Sequence, residues 1–551
     1  MILNEKCRIP SFGPIPSEKQ INHMNLEKKV FFHFGMNTFT NAEWGNGAEN
    51  SDMFNPPKVD TDQWVRGAKE AGFKLAIITT KHHDGFCLWP SEHTEHTIKN
   101  SPYQNGQGDI LRQFTDSCHK YGMLVGFYIS PWDRNSRYWG QDEYSNHYAR
   151  QLHELMPNYG RIDEVWWDGA GSNETNYNWR LWKDIIKSYQ PNAIMFGSLG
   201  ATDYVSLRWV GNESGFANET HYASIDPYSL RVENVDELNR GKIDAERYIP
   251  AEVDVSIRPG WFYHKEQDNK VKSPKALDDI WFNSVGRNAM MLLNFPPNRD
   301  GVVCDLDIER AVESNKRIEK MRATNYVKGA KVVVSDGEDI SEIIDTEKVY
   351  LSTENEISFD ITLPDEEEVN VFALSEVFER GERITEFIVI NKDTGKTVCS
   401  STSVGRLKAL RFPKMSLKNL RVEIKAMAPV TLENVYIWKY EAPSDEENKS
   451  LGENLLTLSG SNIEMNDKRN SAVLNFGGIY DFNTVKFNTD TPTNYEIFGF
   501  DGSKFYSLKK GTTETTENTV KLEKTVSGCY QIKVAVSEKF AEYPEFHISE
   551  T

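Results

Sequence analysis

RIDEVWWDGAG, residues 161–171, reads as a short buried strand that stops on an acid. Ile162 and Val165 are apolar, two tryptophans follow, and the Gly-Ala-Gly turn after Asp168 cannot continue a strand. An aspartate there stands at the strand's carboxyl end, which in an α/β barrel is the face where chemistry is done. Trp166 and Trp167 offer flat apolar surface of the kind the C–H face of a sugar packs on, and a carboxylate beside them can attack or deprotonate. Alone, Asp168 would equally suit a helix cap beside two core tryptophans, so its meaning depends on what the rest of the chain places near it.

On both sides of this segment, from Lys29 onward, short apolar runs alternate with helical stretches, the pattern of βα units and a parallel sheet. Strands are predicted over 30–37, 73–83 and 123–131 upstream, with helices over 61–72, 109–122 and 143–160. A helix over 176–190 leads out of the Asp168 strand, and strands over 192–200, 206–213, 247–257 and 287–298 bring the total to eight. Eight is the count of a closed barrel, and a helix over 306–325 can close it. The expected fold class is therefore α/β, a (β/α)8-like TIM barrel as catalytic domain over 1–328, its barrel proper beginning near residue 20. Residues 211–246 are poor in helix signals, so one outer helix gives way to loop.

After Tyr326 the texture turns to alternating polar and apolar residues with turn signals, the material of all-β sandwiches. Two C-terminal sandwich domains are expected, over 329–445 and 446–551, separated by the acidic, turn-rich stretch 442–454 and looking like loose repeats of one jelly-roll design. Tyr480, Phe482 and Tyr506 in the second read either as core or as exposed rings.

Composition bounds the partners. The 551 residues carry a net charge of −19, which argues against a phosphate track and against nucleic acid, while neutral substrates fit. Six cysteines lie scattered without CxxC spacing, so neither a zinc site nor a disulfide framework is indicated. No apolar run approaches the roughly 18 residues of a membrane span. The start, MILNEKCRIPSFGPIP, lacks the layout of a secretory signal, which leaves a cytoplasmic chain and one whose signal has been trimmed both open. Oligomeric state is not legible.

Polar and aromatic residues recur at the expected ends of successive strands: His33 with Asn37, Glu43 and Trp44 after it, His82 and His83, Tyr128 with Trp132 and Asp133, Glu213 in WVGNESG, and Glu252, Asp254 and Arg258. Histidines with an aspartate could hold a divalent metal. Adjacent residues on a strand point to opposite faces, however, so His82 and His83 cannot both line the barrel interior unless the strand ends between them. The other reading is a carboxylate pair for glycoside cleavage, with neutral histidines hydrogen-bonding sugar hydroxyls.

Six ordered segments carry a resemblance: HFGMNTFTNAEWG (33–45), TKHHDGFCLWPS (80–91), GFYISPWDR (126–134), VWWDGAG (165–171), WVGNESG (209–215) and NAMMLLNFPPNRDG (288–301). Together they resemble glycoside hydrolase family 29, the α-L-fucosidases, across the whole expected barrel. The resemblance implies a cofactor-free, metal-free retaining exo-enzyme acting on fucosylated oligosaccharides or glycoconjugates, with Asp168 as nucleophile. Glu213 in GNESG is similar to the acid/base of the branch that prefers α-1,3/1,4 linkages, and Glu252 is the alternative acid/base. By the same matching His33, Glu43, Trp44, His82, His83 and Trp166 form the fucose-binding shell, Tyr128 supports the nucleophile, and Arg258 and Trp261 orient carboxylates and pack on the sugar. The β domains resemble galactose-binding-like sandwiches, and a periplasmic or secreted location is implied. Two rivals stand beside this reading: a non-catalytic fucosylated-glycan-binding protein on the same scaffold, and a metal-dependent barrel hydrolase.

Overall fold

A computed structural model describes residues 1–170, 177–197, 201, 204–227, 235–443, 461–465, 468, 470–489, 491–500, 505–513, 515–540 and 546–549. Gly171, the last three residues of the 192–200 strand and most of the 442–454 linker lie outside the described residues. Eight parallel strands close into a barrel: β1 (Lys28–Phe32), β2 (Leu75–Lys81), β3 (Leu124–Ile129), β4 (Glu164–Trp167), β5 (Ile194–Gly197), β6 (Leu207–Trp209), β7 (Ala251–Ser256) and β8 (Met290–Asn294). Outer helices α1 (Thr61–Glu70), α2 (Ile110–Tyr121), α3 (Glu143–Asn158), α4 (Trp179–Tyr189), α5 (Pro274–Asn283) and α6 (Asp305–Arg322) surround it. The starts of α1, α2, α4 and α5 are fixed by side chains of Asp60, Asp109, Asn178 and Ser273, each accepting a backbone N–H in the first turn. In the stretch 211–246 the described residues hold only the short helix Val235–Arg240 and a strand of the small pair Ser224–Ile225 with Arg247–Tyr248, as the weak helical signal predicts.

Alternation along each strand sorts the side chains. Val30, Phe32, Val165 and Trp167 face outward into the layer shared with the helices, where Phe32 meets Trp64 and Phe114. Each large apolar side chain buried this way contributes about 1.5–3 kcal/mol. The inward residues form steps from the barrel floor to its rim: Lys29, Phe31 and His33 on the first strand's path, Glu164, Trp166 and Asp168 on the fourth, Glu252 and Asp254 on the seventh. Phe31, Tyr128, Trp166 and Phe196 share the middle step, with Trp166 stacked on Phe196 at 3.9 Å.

The two C-terminal β units repeat one topology. In the first, Lys331–Val334 pairs with the long strand Glu356–Ser375, which pairs with Lys408–Ala426, then Ile384–Asn391 and Lys396–Ser401, while Asn434–Trp438 adds to Glu356–Ser375. The second runs Ser461–Met465, Ser471–Asn488, Glu517–Val536, Asn494–Phe500 and Phe505–Thr512, with Phe546–Ser549 added to Ser471–Asn488. Phe482 is core and Tyr506 is exposed.

Several boundaries differ from the sequence reading: the sixth strand stops at Trp209 and leaves Glu213 in a loop, and two other differences are larger. The first strand ends at Phe32 rather than running to 37, because Gly35 opens the short helix Met36–Thr40. The N-terminus belongs to the first sandwich, not to the barrel: Ile2–Leu3 pairs antiparallel with Val349–Leu351, and Lys6 forms ion pairs with Glu379 and Glu433.

Candidate active site

At the carboxyl ends of the strands a cavity of about 470 Å³, counted with its open mouth, is lined by Phe31, His33, Trp44, His82, His83, Tyr128, Trp166, Asp168, Ala170, Glu213, Asp254 and Trp261. Asp168 follows β4 directly and shares the inward face of Trp166 two residues before it. Its carboxylate accepts from Tyr128 Oη at 2.9 Å and from the Ala170 N–H at 2.8 Å. Tyr128 is buried, and burial together with Asp168 pushes its phenol well above the ordinary range, so it stays a donor.

His82 and His83 both line the cavity. The strand does not end between them but before them, at Lys81, with its register on β3 slipping between Thr79 and Lys81. The three imidazoles are held neutral: burial lowers His33 to about 4, His82 well below its usual value, and His83 despite the opposing pull of Asp168. Their partners assign the tautomers. His33 Nδ1 donates to Asn294 Oδ1 at 2.8 Å, since the Asn294 amide nitrogen is spent on Ser256 and the Trp261 carbonyl. His82 Nδ1 accepts from Asn37 Nδ2 at 3.1 Å, which leaves Nε2 as a donor. His83 Nδ1 donates to Ser130 Oγ at 2.7 Å, whose own proton goes to the Trp132 carbonyl. His83 Nε2 and Asp168 Oδ2 are 3.7 Å apart, too far for a hydrogen bond. The wall therefore mixes one imidazole donor with two acceptors, a set that suits hydroxyl groups.

Glu213 sits in the loop after β6, between Gly211 and Gly215, both of which need the left-handed region (φ +92° and +86°). Trp261 Nε1 donates to Glu213 Oε2 at 3.0 Å. Although the side chain keeps exposed surface, desolvation by its surroundings raises its pKa, and the charges of Asp168 and Glu43 raise it further. Asp254 is a third carboxyl on the cavity. It is buried, its Oδ1 has no hydrogen-bond partner, and burial with Glu213, Glu252 and Asp168 nearby pushes it well above the carboxylate range. The sequence signal for it was the alternation in Ala-Glu-Val-Asp-Val, which turns Glu252 and Asp254 to the same inward face.

Three expected site residues lie elsewhere. Glu252 is fully buried on the barrel floor, where it pairs with Lys29 and accepts from Trp166 Nε1 at 3.2 Å, so it does not reach the cavity. Arg258 is turned away into a two-toothed pair with buried Asp307 (2.7 and 3.0 Å) and a contact with exposed Asp268 (2.7 Å), where it orients scaffold carboxylates. Glu43 is one layer behind the cavity: its carboxylate accepts from the Trp261 N–H at 2.8 Å, the Phe262 N–H and His264 Nε2, and so seats the loop that supplies Trp261. Trp44, 58% exposed, stands at the mouth edge-on to His83 and Trp132.

Among the described residues no lysine or arginine lines the cavity, and no group of three or more His, Cys, Asp or Glu could hold a metal ion. Neutral imidazoles, indole faces and carboxyls free of a cation suit a neutral sugar and acid/base work on its glycosidic bond, which puts the chain among the barrel glycoside hydrolases. Residues 11–316, more than half of the chain, match the alpha-L-fucosidase family, and the chain belongs to that family. It is 36% identical over 423 residues to "Alpha-L-fucosidase 1" of Arabidopsis thaliana, covering 72% of this chain and 82% of that protein. A crystal structure of a putative alpha-L-fucosidase from Bacteroides thetaiotaomicron superposes with a TM-score of 0.76 at 37% identity, over 79% of this chain and 99% of that one. A family 29 fucosidase from Ruminococcus gnavus in complex with fucose gives 0.71 at 28% identity, over 80% and 97%.

Proposed function

We propose that the chain is a retaining exo-α-L-fucosidase that releases terminal α-1,3/1,4-linked L-fucose from branched oligosaccharides. Asp168 attacks the anomeric carbon as the glycosidic C–O bond breaks, and Glu213 gives its proton to the departing oxygen. Water then attacks the fucosyl-aspartate; Glu213 takes the water's proton, and Asp168 leaves as a carboxylate. The carrying observation is that Asp168, fixed by Tyr128, and Glu213, raised by desolvation from its surroundings and by Asp168, face one cavity. A raised acid keeps its proton to higher pH, so cleavage of natural glycans falls as pH climbs through the Glu213 value. The linkage preference rests on the GNESG resemblance, and a periplasmic or secreted location on the family resemblance.

Fucose release from a Lewis-type α-1,3/1,4-fucosylated trisaccharide, an α-1,2-fucosylated disaccharide and an aryl α-fucoside, with NMR of the first anomer formed, tests the reading. Preferential release from the trisaccharide as the α-anomer is expected. First appearance of the β-anomer would remove retention, and preference for the disaccharide would remove the linkage assignment.

A further inference from the structure

The loop that carries Glu213 is tied to the barrel at its start, where the Val210 N–H bonds the Glu252 carbonyl at 3.1 Å. Within the loop the Asn212 side chain bridges Ser214 and Phe216. At its far end the Ala217 N–H bonds the Asn283 carbonyl and Arg287 donates to the Ala217 carbonyl, both at 2.7 Å. Beyond that, residues 219–223 are held by two sets of contacts: on the barrel side Arg208 donates to the Tyr222 and Ala223 carbonyls, the Tyr222 N–H bonds the Arg240 carbonyl and the Ile249 N–H the Ala223 carbonyl, and the first β-sandwich adds a second set. Ser403 Oγ donates to the Glu219 carbonyl at 3.2 Å and accepts from the His221 N–H at 3.0 Å. The hydroxyls of Thr402 and Thr220 bond each other, and buried Lys408 reaches the Glu219 carbonyl. Tyr222 Oη donates to the Thr402 carbonyl at 2.9 Å, and the Ala223 N–H to Glu382 at 2.9 Å.

The strap that supplies most of these contacts, residues 402–409, which joins two sandwich strands and includes the first two residues of the second, is itself locked on the barrel. Asn288 N–H donates to the Leu407 carbonyl, Ala409 N–H to the Gly286 carbonyl and Arg406 N–H to Asn288 Oδ1. Gly405 (φ +64°) presses so closely on Asn288 that an added Cβ would lie 2.2 Å from its side chain.

We propose that the 402–409 strap of the first sandwich is a positioning element for the reaction: by clamping residues 219–223 and the 286–288 turn it holds the downstream end of the Glu213 loop in register with the cavity. The effect on catalysis rests on Glu213 as the acid/base; the clamping itself does not. In this account the sandwich serves the active site through the barrel wall rather than by binding sugar.

The full chain with Ser403→Ala and Lys408→Met together, with Ser403→Ala alone as the milder variant, is compared with Lys392→Ala, which removes an exposed pair with Asp360 far along the same sheet. Hydrogen exchange of the peptide spanning 210–218 is expected to rise several-fold in the strap variants and stay unchanged in the control. Turnover of the fucosylated trisaccharide, whose leaving group needs a proton, is expected to fall about 5–20-fold, while an aryl fucoside with a good leaving group stays within about twofold. Unchanged exchange at 210–218 overturns the proposal, and so does an equal fall on both substrates, which would mark general damage to the pocket. If Glu213→Ala itself gives no such difference between substrates, the role of Glu213 fails, and exchange at 210–218 alone then decides for or against the strap.

Discussion

Two steps of one barrel hold carboxylates in opposite ways. On the floor, Glu164 and Glu252 share Lys29, and Glu252 takes a further bond from Trp166, all with essentially no exposure. Toward the rim, Asp168, Asp254 and Glu213 converge on a cavity that no lysine or arginine lines among the described residues. A buried carboxylate matched to a cation is scaffold, because removing either partner strands a charge. On the floor burial and Glu252 raise Glu164 against the pull of Lys29, whereas at the rim desolvation and the neighbouring carboxylates raise Glu213 and Asp254, the condition a general acid needs. Glu252 and Asp254 stand two residues apart on one strand, and the difference between them is only which step they reach.

The contrast can be broken most severely at Asp168. Asp168→Ala should lower kcat/KM on every fucoside by about 10⁴ or more while thermal unfolding moves little. Lys29→Met should do the reverse, costing about 3–5 kcal/mol in denaturant titrations by leaving Glu164 and Glu252 without their cation. Unchanged stability there would erase the distinction between the steps. Glu213→Gln should cut turnover of the fucosylated trisaccharide by about 10²–10⁴ yet spare the aryl fucoside's first step, and should abolish the alkaline limb of the pH profile; Glu252→Gln should show no such split. The smallest effect is at Glu43. Its charge helps raise the Glu213 pKa, so Glu43→Gln should move the alkaline limb to lower pH by less than about one unit, read from kcat/KM profiles.

The eight-strand barrel could be read from the sequence because its strands are short apolar runs, most of them followed by a helix and four of those helices opened by a side-chain cap, and both signals are local. The repeat of the β units was visible only as texture, yet the strand order matches between them, since turn spacing survives where residues change. What the sequence could not settle were questions of a single residue. His82 and His83 turned on where β2 stops, and Glu43 on a loop more than two hundred residues away folding back onto its carboxylate. Arg258 followed its motif but is spent on Asp307, a partner on α6 that no local pattern announces. The N-terminal strand joins the first sandwich through a pairing some 350 residues apart in the chain, the kind of contact that composition cannot signal.

The most direct measurement is to treat the protein with a 2-deoxy-2-fluoro-α-L-fucosyl fluoride, which slows both steps but the second more, and to map the trapped residue by peptide mass spectrometry. A fucosyl ester on Asp168, absent from Asp168→Ala and released over time with recovery of activity, is the predicted result. Inactivation with the label on another carboxyl, or steady turnover with no adduct at all, would contradict the account.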